Sequence, residues 1–130
     1  MGIESGIIAR LNAVAAVTSL VSNRIYADTL PDGTTHPAII YQMVSDVPYE
    51  LLIADTDLYK ARVQFTIISD TKTETISIAN ALKTALKRFS GTASDITIRD
   101  CRLENQYDLQ YDLATNETAR MCDYIFIYEV

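Results

Sequence analysis

The sequence has few of the residues on which catalytic and metal sites depend. Its single histidine, His36, is the only one available for histidine-based catalysis, and no serine or cysteine partner is placed beside it. Because His36 precedes Pro37 in a turn-rich segment, we interpret it as a surface loop residue. Two cysteines and one histidine give no zinc-binding spacing, and four scattered glycines give no phosphate-binding loop. We therefore expect neither a cofactor nor a metal.

Long apolar runs and a signal sequence are also missing. No stretch approaches the roughly 20 apolar residues that a membrane helix needs, and the N-terminus lacks the basic start of a signal peptide. We therefore expect no membrane partner. The two cysteines, Cys101 and Cys122, fit a reducing cytoplasm, where buried thiols behave as small apolar residues. With 130 residues, 48% of them apolar, the chain is expected to form one domain, residues 1–130.

Negative charge is concentrated in two segments that contain no base. The first holds Asp46, Glu50, Asp55 and Asp57, and the second holds Glu104, Asp108, Asp112 and Glu117. These eight are part of 17 acids, so the rest of the chain has nine acids against 11 bases. The net charge of −6 argues against a nucleic-acid-binding module, which needs a basic patch. The short spacing in 55–57 suits a hard cation, but a solvated acidic loop is the better interpretation.

Hydrophobic periodicity predicts two helices. The first covers residues 3–22, and one of its faces is largely apolar: Ile7, Ile8, Leu11, Val14, Ala15, Thr18 and Val21. The second begins at Thr71, which forms a candidate capping box with Glu74, and Gly91 is placed to end it. Its predicted buried stripe spans five positions: Ile76, Ala79, Leu82, Leu86 and Phe89. Each helix therefore has one face to bury against a sheet.

Alternating and apolar runs predict the strands, which lie at 24–26, 38–45, 59–69, 96–104 and 120–129. The alternation shifts near Asp100, which indicates a bulge. An acidic loop is expected at 46–58, and a short repeat at 106–113 is interpreted as a loop or hairpin tip. The order α-β-β-β-α-β-β predicts an α+β two-layer sandwich, with two helices on one face of a largely antiparallel sheet of about four to five strands.

Tyrosines and two isoleucines supply the candidate interface. Tyrosine joins an apolar ring to a polar tip and is enriched at protein interfaces. Three tyrosines lie in predicted strands and are expected in the core or on a sheet face: Tyr41, Tyr124 and Tyr128. The candidate interface combines loop tyrosines with isoleucines on the sheet face opposite Tyr124 and Phe126: Tyr49, Tyr107, Tyr111, Ile125 and Ile127. For each tyrosine, packing over the domain's own edge is the alternative.

Four short runs carry a resemblance to a known family. They are Arg24-Ile25-Tyr26, Pro37 with Ile39-Ile40-Tyr41-Gln42, Arg62-Val63-Gln64-Phe65, and Asp123-Tyr124-Ile125-Phe126-Ile127-Tyr128. In order and spacing they resemble the tail completion (tail terminator, or tail-to-head joining) proteins of long-tailed bacteriophages and prophages. The resemblance spans nearly the whole chain. Two positions depart from it, since the family often has proline where this chain has Ala27 and tryptophan where it has Phe126 or Ile127.

The resemblance implies a structural virion protein without catalytic residues. Such a protein is a subunit of a ring, expected to be hexameric, that ends the tail tube and joins it to the head. Its expected partners are other copies of itself, the tail tube protein and head–tail connector proteins, while DNA passes through the ring without specific binding. Its expected location is the head-proximal end of the tail in the virion, after assembly in the cytoplasm of the host bacterium.

Two alternatives to the tail terminator stay open. One is a head-completion or connector protein of the neck. The other is a small cytoplasmic α+β enzyme or ligand-binding domain, which would need a pocket with convergent polar groups.

The acidic segments suggest that the inner wall of a ring would repel the phosphates of DNA. Clustered carboxylates repel phosphate over about 8 Å at physiological salt, and a wall that attracted phosphate would slow the passage of DNA. The candidate channel-facing residues are the acids of the first segment: Asp46, Glu50, Asp55 and Asp57. The alternative is a pair of solvated outer loops that keep the subunit soluble.

Overall fold

A computed structural model describes residues 3–28, 37–48, 58–93, 96–108 and 118–129. Within these ranges the helices are α1 Ile3–Asn12, α2 Ala15–Val21 and α3 Lys72–Leu86. The strands are β1 Ile25–Ala27, β2 Ala38–Pro48, β3 Leu58–Ser69, β4 Gly91–Ala93, β5 Ile96–Asp108 and β6 Thr118–Glu129.

The strands form one curled sheet in the order β1-β2-β3-β6-β5-β4. β1 runs parallel to β2, and every other pairing is antiparallel. The α+β class is confirmed, but a simple two-layer sandwich with four to five strands and two helices is wrong, because the described residues form six strands and three helices. The extra strand, β4, has three residues, too few to show an alternating pattern.

The predicted helix over residues 3–22 is in fact two helices, which meet at a bend of 85°. The break falls at Val14, whose backbone is extended (φ −104°, ψ 112°). In α1 the buried side chains include Ile7 and Leu11, and in α2 they are Val17 and Val21. On one continuous helix Val17 would lie about 120° around the axis from Leu11. The bend therefore turns both apolar stripes toward the same core.

The core lies between the helices and one face of the sheet. Along β3 the inward residues are Ala61, Val63, Phe65 and Ile67, as the alternation predicts, and all four are fully buried. The Tyr124 ring of β6 meets Phe65 edge-on, with ring centroids 5.7 Å apart. Buried side chains from all three helices belong to the same cluster. All three helices therefore cover one face of the sheet.

β2 departs from its prediction in length and in burial. It continues through Asp46 to Pro48, residues expected in the acidic loop, and pairs there with β3. Apolar residues on both faces of 38–45 are typical of a central strand, but of the residues of β2 only Ala38 and Ile39 are buried. The reason is its position, since β1 covers only the first part of its outer edge.

The start of α3 is capped more elaborately than a capping box. The Thr71 hydroxyl accepts a hydrogen bond from the Glu74 N–H at 3.2 Å, as predicted. The return bond passes through Ser69, whose hydroxyl donates to the Glu74 carboxylate and accepts from the Thr71 N–H at 3.3 Å. The cap thereby ties the end of β3 to the helix.

The exposed face and the end of α3 differ from prediction. Ile76 is 39% exposed, because the buried face is centred on Ile78 and Leu82 instead. Gly91 lies in β4, where its φ of 152° is positive, and the left-handed residue directly after the helix is Arg88 (φ 59°). The chain turns there toward β5.

Both cysteines are free and buried, and the bulge near Asp100 is confirmed by a register shift in the pairing of β5 with β6. Among the described residues no single helix is long and apolar enough to cross a membrane. Only α1 and α2 taken together, bent as they are, meet that criterion by length and composition.

Alkaline pH is expected to destabilise this core. Burial raises the pKa of the Cys122 thiol from its ordinary 9.0 to about 11 and also raises the pKa values of Cys101, Tyr124 and Tyr128. The unfolded chain therefore releases these protons at lower pH than the folded chain. The free energy of unfolding should be fully retained below about pH 9 and fall as the pH rises toward 11.

Urea denaturation followed by circular dichroism checks this at about pH 7.5 and about pH 10.5. The Cys101→Ala/Cys122→Ala variant is the control, and its stability should depend less steeply on pH. Equal midpoints for the parent protein at the two pH values would contradict the expectation.

Candidate interaction surfaces

Several predicted site residues lie outside the described part of the chain. They are His36, Tyr49, Glu50, Asp55, Asp57 and Tyr111. Asp46 is described, and it lies in strand β2 instead of a loop. Its carboxylate accepts a hydrogen bond from the Tyr128 hydroxyl at 2.7 Å, while the Tyr128 ring stacks on Tyr59 at a centroid distance of 5.6 Å. Asp46 is therefore bound to its own sheet.

The remaining interface candidates differ in how much surface they offer. Tyr107 lies on β5 and is 41% exposed, and its hydroxyl accepts from the Gln64 side-chain amide at 3.3 Å. Ile125 is only 7% exposed, and Ile127 is half-buried. Tyr124 and Phe126 do face inward, so both isoleucines lie on the other sheet face. Ile125, flanked there by arginines on β3 and β5, offers a neighbour little surface.

Besides the outer edges of the three-residue strands β1 and β4, two longer stretches of strand edge have no described pairing partner. On β2 the edge is free from Gln42 to Pro48, because β1 ends opposite Tyr41. On β5 it is free from Arg102 to Asp108, because β4 pairs only as far as Ile98. A free edge presents unpaired N–H and C=O groups to a further strand. These two edges lie on opposite sides of the sheet.

Exposed apolar side chains accompany both free edges. Among the described residues the exposed large apolar side chains are Val44 (51%), Val47 (49%), Tyr107 (41%) and Ile76 (39%). The valines lie on the free part of β2, and Tyr107 lies on the free part of β5. Each of these strands also has a register shift in its pairing with its inner neighbour, β2 with β3 and β5 with β6, and such bulges bend a strand and limit indiscriminate pairing along its edge. Val47 was missed because residues 46–58 were predicted as a loop, whereas Val44 lay in the predicted strand 38–45 without being proposed as an interface residue.

The outer face of β6 contains an ion pair in which the acid is buried and the base is partly exposed. Asp123 is 3% exposed, and its Oδ2 lies 2.8 Å from Arg62 Nη2 of the neighbouring strand. Asp123 Oδ1 and Arg62 Nε are buried without a hydrogen-bond partner in the described part of the chain. The carboxylate therefore depends on a single strong interaction.

Basic residues also hold the base of the β5–β6 hairpin. Asp108 accepts from Arg120 Nη1 at 2.8 Å, and Lys72 Nζ lies 3.4 Å from its other oxygen. Burial acts to raise the pKa of Asp108, but Arg120 and Lys72 outweigh it and lower the pKa. The second acidic segment is thus partly neutralised within the subunit.

A basic cleft lies between α3 and β5. It is open, with a volume of about 370 Å³, and is lined by Lys83, Lys87, Arg88, Arg102 and Leu103. The spacing of Lys83 and Lys87 places both on one helix face, a signal present in the sequence. The contribution of Arg102 comes from a distant strand and has no such signal. Within the described residues no group of three or more histidine, cysteine or acidic side chains is placed to hold a metal.

These surfaces are suited to protein contact, and the comparisons with known proteins agree. The sequence model of the family described as "Tail completion protein gp17" matches residues 5–128. The chain belongs to this family. It is accordingly a structural protein of the bacteriophage virion with a part in tail completion, as the resemblance implied.

The fold of this tail completion protein recurs in a solved structure. A chain of the "Virion of native gene transfer agent (GTA) particle" matches with a TM-score of 0.74, covering 98% of this chain and 95% of that chain. The two sequences are 14% identical, so the likeness concerns the fold alone. No curated protein matches the sequence.

Removing the charge of Asp123 should destabilise the subunit. The Asp123→Asn variant keeps the shape of the side chain but leaves Arg62 without its counter-ion, at an expected cost of about 1–3 kcal/mol in the free energy of unfolding. Urea denaturation at neutral pH measures this. Asn80→Asp, the reverse exchange at an exposed position on α3, is the control and should change stability by less than about 0.5 kcal/mol. Equal effects of the two substitutions would show that the ion pair contributes nothing.

Proposed function

We propose that six copies of this chain form a ring that closes the head-proximal end of the tail tube and joins it to the head. The observation that carries the proposal is the pair of free strand edges on opposite sides of the sheet, each with exposed apolar side chains. A closed ring needs a heterologous interface, in which two different patches of neighbouring copies meet. The β2 edge and the β5 edge are two such patches.

The other partners follow from this position in the particle. The ring's two faces contact the tail tube protein and the head–tail connector proteins, and DNA passes through its opening without specific binding. Assembly takes place in the cytoplasm of the host bacterium. Family membership supports a place in the virion. The proposed ring lies at the head-proximal end of the tail.

Substitutions on the β2 edge should block joining. We expect Val44→Glu/Val47→Glu to fold, because both side chains are half exposed, but to fail to complement a prophage lacking the gene. The matched control is Ile76→Glu, which changes an exposed isoleucine on α3 away from both edges and should complement.

Electron microscopy of induced lysates is the measurement. A tail terminator predicts separate heads together with tails of irregular length, because nothing stops tube growth. Separate tails of normal length would instead indicate a connector protein of the neck. Full complementation by the β2-edge variant would overturn the ring contact assigned to that edge.

The acidic segment between β2 and β3 is expected to matter as well. The Glu50→Lys/Asp55→Lys/Asp57→Lys variant reverses three charges that were predicted to face the channel, and phosphate would then be attracted where it was repelled. We expect a folded protein and a strongly reduced phage titre. An unchanged titre would exclude a channel-facing role for these three acids.

A further inference from the structure

The basic cleft concentrates positive charge in an acidic protein. The chain has a net charge of −6 and 11 basic residues, four of which line this one cleft together with Leu103. Arg88 is paired with Asp100 at 2.9 Å. The other three, Lys83, Lys87 and Arg102, are exposed and form no ion pair with any residue that the structure describes.

Lys83 and Lys87 are not needed to cap the C-terminus of α3. Basic side chains near a helix C-terminus can bond its last carbonyl groups. Here those carbonyls already have donors: Lys83 O accepts from the Lys87 N–H at 2.9 Å, Ala85 O from Arg10 Nε at 2.9 Å, and Leu86 O from the Phe89 N–H at 3.0 Å. The lysine side chains are therefore free to bind an anionic partner.

The position of the cleft indicates what that partner is. Arg102 and Leu103 begin the free edge of β5, so a strand that approaches this edge also meets the cleft. On the opposite side of the sheet the free edge of β2 leads directly into the connection to β3, residues 49–57. That connection contains three acids and no base.

We propose that the cleft binds the acidic connection between β2 and β3 of a second copy of this chain. The inference rests on the proposed ring, in which the β2 side of one copy meets the β5 side of the next. Two lysines without ion pairs, Lys83 and Lys87, then face the acids of the neighbour, Glu50, Asp55 and Asp57. Arg102, whose side chain shares the outer sheet face with Ile125, adds positive charge at the β5 edge beside them. Arginine binds carboxylates through two parallel hydrogen bonds, and complementary charges steer association.

DNA is the competing occupant. A protein that binds duplex phosphates presents a basic stripe along several phosphate groups, whereas these bases converge on one short cleft in an acidic chain. An acidic peptide segment fits that arrangement better.

The first test measures self-association of the full chain by sedimentation at low and at high salt. We expect Lys83→Gln/Lys87→Gln to raise the dissociation constant about tenfold at low salt and to reduce its salt dependence. The matched control, Thr73→Glu/Ser77→Glu, changes the net charge by the same amount on the exposed face of the same helix and should leave association unchanged.

The second test exchanges the charges between copies. Lys83→Glu/Lys87→Glu alone and Asp55→Lys/Asp57→Lys alone should each associate poorly, because like charges then meet at every contact. An equimolar mixture of the two should recover association, since every contact in an alternating ring pairs opposite charges. Circular dichroism confirms that each variant is folded.

The cleft contact can fail while the ring still forms, and the measurements distinguish the two cases. Normal association of Lys83→Gln/Lys87→Gln, or no recovery in the mixture while the parent protein associates, would overturn the cleft contact and leave the ring. A parent protein that stays monomeric at low salt would overturn the cleft contact between copies. Weaker binding of Lys83→Gln/Lys87→Gln to duplex DNA, with unchanged association, would assign the cleft to DNA. Recovery would also show that these acids serve the interface and not the channel wall.

Discussion

The structure depends on burying both faces of one strand, β6. Every residue from Met121 to Phe126 is less than one-tenth exposed. β3 pairs with the whole length of one side of this strand, and β5 pairs with the other. The helices cover one face, with Tyr124 and Phe126 at its centre. Because β3 and β6 occupy the middle, the longer strand edges without a described partner fall on β2 and β5. The burial that stabilises the fold thereby determines which edges are left for a further strand.

Burial on both faces has a cost, which appears at Asp123. An ionised carboxylate in such a strand must be compensated, and Arg62 supplies one charge-assisted hydrogen bond at 2.8 Å. An apolar residue at this position would avoid that cost. The benefit of an aspartate is that it helps to fix the pairing register of β6. Slipping β6 by one residue would exchange Asp123 with Tyr124 and place a carboxylate against Phe65 in the core. Asp123 therefore penalises the incorrect register more than it weakens the correct one.

The strands could be predicted from sequence, and the bends between elements could not. Alternation along β3 reflects one covered face, and it marks burial directly. The break at Val14 has no local signal, because the residues around it are compatible with a helix and only packing of Val17 against the core favours the bend. Likewise the first turn after α3 uses a left-handed Arg88, whose N–H bonds the Cys101 carbonyl of β5 at 2.7 Å, and Gly91 takes its positive φ three residues later in β4. The nearby strand dictates where the chain must turn. The cleft combines a helix and a distant strand, so periodicity alone cannot reveal it.

The free strand edges do not by themselves determine which edge of one copy would pair with which edge of another, and charge can decide between them. Backbone groups on a free edge can pair with almost any strand, including the same edge of another copy. If two β2 sides met, their acidic connections would repel each other, and two β5 sides would bring basic clefts together. Only the unlike contact, β2 side against β5 side, brings opposite charges together. Specificity of this kind depends on disfavouring the wrong partners as much as on attracting the right one. The unlike contact is also the heterologous one that a closed ring requires, so the uneven distribution of charge along the chain supports the proposed ring over a symmetric dimer.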